Sequence, residues 1–221
     1  MRTLTIFRHA KSGWDDPALA DFDRALAPRG IGDAPRMGDA LRAAWSRQTA
    51  GIPDLVLCSA AVRTRQTFAL AFPDWVAAAG EAHGDDAGRA ARAGTGDGAE
   101  AGPAMSARLE SGGAARGPAV LYDRALYHAP WTTLLDRLNA VPEAVRHVLL
   151  VGHNPGLHDL ALELTGSGSS AERKALAVKL PTAAIVILTF AVARFADIAP
   201  DMGRLEVFLT PRHVGDGERG R

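Results

Sequence analysis

The chain has 221 residues, and its 25 Lys and Arg are balanced by 25 Asp and Glu, for a formal net charge of zero. That length is enough for a domain with a real core. The charge balance gives no support to a nucleic-acid or membrane-surface binder, so basic residues must act locally. A single cysteine, Cys58, rules out an intrachain disulfide and offers nothing for an oxidising compartment. The start of the chain lacks the basic segment, apolar stretch and small-residue cleavage site of a signal peptide. The longest apolar run, Ala183 to Ala193, is interrupted by Thr189 and is about half of the roughly 20 residues needed to span a bilayer. A soluble, cytoplasmic protein is the expectation.

In chain order, short runs rich in Leu and β-branched residues alternate with segments of helical period, the pattern of βαβ units and a largely parallel sheet. Strands are predicted over 3–7, 55–58, 120–122, 147–151, 184–190 and 204–209, and helices over 29–46, 60–71, 131–139 and 157–164. Pro28 and Ser59 stand where helix start signals belong. The last two strands have no convincing helix between them, so they form a hairpin-like pair and the six-stranded sheet is mixed.

Residues 77–118 break this rhythm: 24 of these 42 residues are Ala or Gly, and Met105 and Leu109 are the large apolar ones. Such a stretch buries too little surface to offset its ordering entropy. It is read as a disordered insertion, with a mobile cover as the other reading. Residues 214–221 are read as a loose tail. The glycines at 94, 96 and 98 follow no strand and open no helix, so they are not a dinucleotide-binding loop.

The chemistry gathers at strand ends. Arg8-His9-Ala10-Lys11-Ser12 closes the first strand, and Gly152-His153-Asn154-Pro155 closes a later one. Ligands of open α/β sheets bind at that carboxyl edge. A neutral imidazole is a competent nucleophile near pH 7, which makes His9 the candidate nucleophile. Neighbouring cations hold a phosphate and disfavour the imidazolium, and Arg8 is the first of them. Arg63 is placed in the first turn of a helix, whose free N–H groups favour an anion. Arg65, two residues on, is placed on the surface. His153 is a donor for a phosphoryl oxygen. Asp123, after the third strand, is either a general acid or a residue that pairs with Arg124 or caps the turn. His158 faces away from His153, and His83, His128, His147 and His213 are read as structural or surface. No spacing of His, Cys and carboxylates calls for a metal, and no cofactor is expected. A cysteine-phosphatase reading fails on spacing, since four residues separate Cys58 from Arg63 and no Gly-rich loop lies between them. Cys58 is instead a small buried strand residue.

Arg8-His9, the Ser59-x-x-x-Arg63-x-x-x-Thr67 segment and Gly152-His153 together resemble the histidine phosphatase superfamily, which includes the phosphoglycerate mutases. More closely, the chain is similar to the SixA-type phosphohistidine phosphatases. That likeness rests on Arg8 to Ser12, on Asp21-Phe22-Asp23-Arg24-Ala25-Leu26 with Gly30, and on Leu126-Tyr127. Val151 to Leu157 and Leu180-Pro181-Thr182-Ala183-Ala184 complete it. The resemblance spans the chain outside 77–118 and the tail, so residues 1–221 are taken as a single domain. It implies a three-layer α/β/α fold with a six-stranded mixed, mostly parallel sheet. It also implies a phosphohistidine intermediate on His9, a phosphate pocket from Arg8, Arg63 and His153, and no metal. Ala10 replaces a glycine common in the wider superfamily. The expected activity is dephosphorylation of phosphohistidine on a protein. The alternatives are a phosphatase or mutase for small phosphorylated metabolites, or a binding module without turnover.

Overall fold

The computed structural model describes residues 1–14, 16–49, 51–76 and 117–218. In β1 (Arg2–Arg8), Leu4 and Ile6 join one apolar cluster and Phe7 the other, as the two-residue period of a strand requires. The same division separates Leu55 and Leu57 from Val56 and Cys58 in β2 (Leu55–Ser59). It also separates Val148 and Leu150 from Leu149 and Val151 in β4 (His147–Gly152). A sheet buried on both faces needs helices on both, which gives the three layers expected.

One face carries α1 (Pro28–Trp45) and α2 (Val62–Ala71), through Met37, Leu41, Trp45 and Phe68. The other carries α3 (Trp131–Asn139) and α4 (Gly156–Leu164), through Leu134, Leu138, Leu157 and Leu160. Pro28 opens α1, where its missing N–H costs nothing. Ser59 does not cap α2: the cap position is Ala61, and no side chain caps it.

The remaining elements are β3 (Ala119–Asp123), β5 (Thr165–Gly168), α5 (Ser170–Val178), β6 (Ile185–Phe190), β7 (Gly203–Leu209) and α6 (Pro211–Glu218). The sheet order is β3-β2-β4-β1-β6-β7-β5. The β3–β2, β2–β4, β4–β1 and β7–β5 pairs are parallel, whereas β1–β6 and β6–β7 are antiparallel. The mixed, mostly parallel sheet is as expected, but it has seven strands rather than six. The extra strand is Thr165-Gly166-Ser167-Gly168, which has no apolar alternation and pairs with β7 through its backbone. A Cβ on Gly166 would lie 1.7 Å from the Asp201 carbonyl oxygen, so only glycine permits that close approach.

Of the segment read as a loose tail, residues up to Glu218 belong to α6 and Val214 packs against the cluster under α1, while residues 219–221 lie outside the described residues. The Ala/Gly-rich insertion, apart from Gly117 and Pro118, lies outside the described residues. Among the described residues no helix is long and apolar enough to cross a membrane.

Candidate active site

Sheet register assembles the site. Arg8 pairs with Gly152 across β1 and β4, so the next residues on the two strands, His9 and His153, emerge side by side. Their ring centroids are 5.1 Å apart, and both residues are buried. Cys58 pairs with Val151 on the other side of β4, which brings Ser59 level with the same edge.

The Nδ1 of His9 lies 2.7 Å from the Ala10 carbonyl oxygen, an acceptor only, so Nδ1 carries the proton and Nε2 keeps its lone pair. Burial, followed by the charges of Arg63 and Arg8, depresses the His9 pKa to about 3, against the opposing pull of the Ala10 carbonyl. The ring is neutral at physiological pH. Thr67 supports this geometry from α2: its hydroxyl accepts the Ala10 N–H at 3.0 Å and donates to the Arg63 carbonyl at 2.7 Å. One threonine thus ties the loop after His9 to the helix turn that carries Arg63.

His153 is held by a different contact. Its Nε2 lies 2.8 Å from Ser59 Oγ, and its Nδ1 is buried without a hydrogen-bond partner among the described residues. Ser59 Oγ also receives the Ala61 N–H at 3.4 Å, and the acceptor facing its own hydrogen is Nε2. The hydroxyl then donates to Nε2 and leaves Nδ1 as the free N–H of the ring. Burial, with the charges of His9 and Arg63, lowers the His153 pKa to about 2. A neutral donor with a fixed tautomer is what a developing phosphoryl charge needs.

Arg8 donates from Nη1 to the Leu180 carbonyl at 2.7 Å, and Asn154 Nδ2 reaches the same oxygen at 2.9 Å. This shared acceptor locks the segment after α5 to both strand ends, and the Arg8 Nε remains without a partner among the described residues. Arg63, the second residue of α2, is buried as its first-turn position predicts. Its guanidinium donates to the carbonyl oxygen of Asp21 and, at 2.8 Å, to Asp21 Oδ2. Arg65 is exposed and lies over the Tyr122 ring at 5.1 Å, outside the site.

Besides the buried Ser59, three residues that the sequence reading left out of the site, Asp21, Tyr127 and His128, gather around Arg63 and His153. Asp21 lies in the single 3-10 turn Asp21–Asp23, and its Oδ2 also accepts the Tyr127 hydroxyl at 2.6 Å and lies 3.2 Å from His128 Nε2. The Tyr127 hydroxyl first, then His128 and Arg63, hold the Asp21 carboxyl well below the usual carboxylate range, although burial opposes them. His128, read as structural or surface, stacks on His153 at 5.0 Å and adopts a left-handed φ of 48°. Asp21 and Tyr127 were legible as parts of motifs and Ser59 as a helix start, whereas nothing in the sequence around His128 marked it.

Asp123 reaches the same sheet edge, paired with Ser59, but its oxygens are engaged elsewhere. Oδ1 accepts the Ala125 N–H at 2.7 Å, and Oδ2 lies 3.4 Å from Arg137 Nε. The turn-cap reading is what the geometry displays, with Arg137 rather than Arg124 as the partner. Of the remaining imidazoles, two are structural. His147 is buried between Thr5, 2.8 Å away, and the Gly51 carbonyl, and His158 Nε2 meets the Leu176 carbonyl at 2.8 Å. Cys58 is fully buried, which pushes its thiol pKa far up and removes it from nucleophilic chemistry.

No family model matches the chain. The uncharacterized protein Rv1276c of Mycobacterium tuberculosis is 33% identical over 207 residues, covering 93% of this chain and 99% of that protein. Among solved structures, a candidate phosphohistidine phosphatase SixA from Nakamurella multipartitia is 25% identical, with a TM-score of 0.63, over 95% of this chain and 96% of that one. A second SixA candidate, from Agrobacterium tumefaciens, is 25% identical with a TM-score of 0.62, over 95% and 98% of the two chains. Paired strand-end histidines thus stand beside a buried Arg63 and a half-buried Arg8, on a mixed sheet whose likeness is to phosphatases. The chain belongs to the histidine phosphatase superfamily, with the phosphoglycerate mutase-like fold. Within that superfamily its likeness is to the SixA proteins.

Proposed function

We propose that the protein is a metal-independent phosphatase that removes the phosphoryl group from phosphohistidine on a protein, through a phosphohistidine intermediate on His9. The observation that carries this reading is the His9–Ala10 hydrogen bond, which leaves the Nε2 lone pair free on a buried, neutral ring beside two arginines. Nε2 attacks phosphorus, the bond from phosphorus to the leaving histidine nitrogen breaks, and that nitrogen retains the electron pair and takes a proton. Water then attacks the phosphoenzyme, releasing inorganic phosphate and returning His9 to its neutral form.

Arg8 and Arg63 neutralise the phosphoryl oxygens, and the free Nδ1–H of His153 donates to the charge that builds in the transition state. Asp123 retains a proton-donor role only if it leaves Arg137. A histidine nitrogen departs with less protonation than an alkoxide, so a site with its nearest carboxylates already paired suits a phosphoramidate. The likeness to SixA proteins points to the same substrate class. Cytoplasmic action is part of the proposal, supported by the single, buried Cys58. Small phosphomonoesters are the second substrate class, on which the same histidine–arginine set would act.

Trapping tests the reading. The protein is mixed with radiolabelled phosphohistidine protein in EDTA, quenched rapidly and compared with His9→Ala. An acid-labile, base-stable adduct in the wild type alone is expected. Release of phosphate from both proteins at equal rates would overturn the nucleophile assignment. Turnover of small phosphomonoesters without turnover of the phosphoprotein would move the substrate to the second class.

A further inference from the structure

A groove of about 670 Å³ runs beside the site, and among the described residues every ionisable side chain that lines it is basic: Arg8, Lys11, Arg29, Lys179, Arg212 and His213. In a chain of zero net charge, this is a local concentration of positive charge. Arg29 is paired, 3.3 Å from Asp33. Lys11, Lys179 and Arg212 are exposed, and no ion pair engages them among the described residues. The larger groove, about 810 Å³, makes the contrast: there Arg2, Arg47 and Arg146 share the walls with Asp54 and Glu206.

The basic groove is continuous with the chemistry. Arg8, the residue before the nucleophile, forms part of its wall and is bonded to the Leu180 carbonyl. Pro181 and Thr182 also line it, and the next residue, Ala183, donates its N–H to the His9 carbonyl at 3.1 Å. Its lining is not only charged. Val178 is 77% exposed there, beside Phe208 and Pro211. The volume is far larger than a phosphoryl group needs. Cations around an apolar floor fit carboxylates set around apolar side chains, which is the chemistry of a folded protein's acidic face.

We propose that this groove docks an acidic face of the phosphorylated protein substrate, with the phosphohistidine delivered past Arg8 to His9. The proposal rests on the phosphoprotein reading given above. Lys11, Lys179 and Arg212 form the steering set, and Val178 supplies the apolar contact. Such a surface acts on encounter and on KM, and its contribution falls as salt rises.

The test is the double variant Lys179→Glu/Arg212→Glu, whose positions lie outside the catalytic set, with a histidine-phosphorylated phosphotransfer domain and p-nitrophenyl phosphate as the two substrates. The expected result is a loss of about tenfold or more in kcat/KM on the phosphoprotein, with a flatter salt dependence and p-nitrophenyl phosphate turnover within about twofold of wild type. Unchanged kcat/KM on the phosphoprotein, with both substrates still cleaved, would overturn the docking surface and leave the phosphatase reading intact. If wild type cleaves p-nitrophenyl phosphate but not the phosphoprotein, the substrate reading falls and takes this proposal with it. A raised KM for a small bisphosphate, with the phosphoprotein unaffected, would reassign the groove to a second phosphate.

Discussion

Asp21 Oδ2 lies 2.8 Å from the guanidinium of Arg63, so the buried cation proposed to face the phosphate already carries a carboxylate partner. The partnership is one of shared donors: Tyr127 and His128 converge on the same oxygen. An incoming dianion meets Arg63 already oriented, but it also meets the negative charge that orients it.

Removing that charge while keeping the shape is therefore expected to strengthen anion binding. Asp21→Asn lowers the inhibition constant of inorganic phosphate by about threefold or more, since like charges within a few ångströms repel. Asp21→Ala releases Arg63 as well, and turnover drops. Phosphate inhibition measured on both variants separates the two effects, and a weaker phosphate affinity in Asp21→Asn contradicts the repulsion argument. Because the carboxyl pKa is depressed, Asp21 stays ionised through the acid range in which an ordinary carboxylate protonates. The effect of Asp21→Asn thus persists down to about pH 4.

Ser59 sets which nitrogen of His153 carries the proton. Ser59→Ala removes the donor to Nε2, lets the ring tautomerise, and is expected to lower kcat by about tenfold with KM nearly unchanged. Ser59→Thr keeps the hydroxyl and retains more activity. NMR of the His153 ring nitrogens in a labelled sample reads the tautomer directly, and an unchanged spectrum in Ser59→Ala refutes the role.

The neutral buried histidines make stability depend on pH in a defined direction. His9, His147 and His153 titrate at about 3, 4 and 2 in the folded protein, against an ordinary value near 6.5. Below pH 6.5 the unfolded chain takes up protons that the folded chain refuses, so stability falls as pH drops toward 4. Each such proton contributes a slope of up to about 1.4 kcal/mol per pH unit. Urea titrations at pH 7.5, 6 and 5 measure it. His147→Gln, away from the active site, should reduce the slope by up to one proton. The same depressed value keeps the His9 nucleophile neutral, so kcat/KM shows no acid limb near pH 6.5 while the protein stays folded.

The engagement of Asp123 by Ala125 and Arg137 leads to a further expectation. Asp123→Asn is expected to leave turnover of both p-nitrophenyl phosphate and an alkyl phosphate within about threefold, because both carboxylate oxygens already have partners. His128→Asn, at the rim beside Arg63 and His153, costs more, and the loss is larger on an alkyl phosphate than on p-nitrophenyl phosphate, whose leaving group needs no proton. The ratio of the two substrates, measured for both variants, decides it, and equal losses on both substrates in His128→Asn count against a proton-delivery role.

Residue order alone was enough for the alternation of strands and helices, for the two strand-end histidines and for Arg63 in a helix's first turn. Each is a local signal: an apolar run, a helical period, a position next to a strand end. Local signals could not show β5, a Thr-Gly-Ser-Gly segment whose strand character comes from pairing with β7, nor that Ser59, placed as a helix cap, turns its hydroxyl to His153 94 residues away. They could not place His128 against Arg63 or send Asp123 to Arg137. Those relationships depend on sheet register and on which donors and acceptors meet once burial leaves them no water. The sequence by itself determined which histidines and cations gather at the candidate site, because they sit at strand and helix ends. Tertiary structure alone decided the tautomers, the depressed pKa values and the partner of each charge, because all of these arise from groups distant in the chain meeting in a desolvated space.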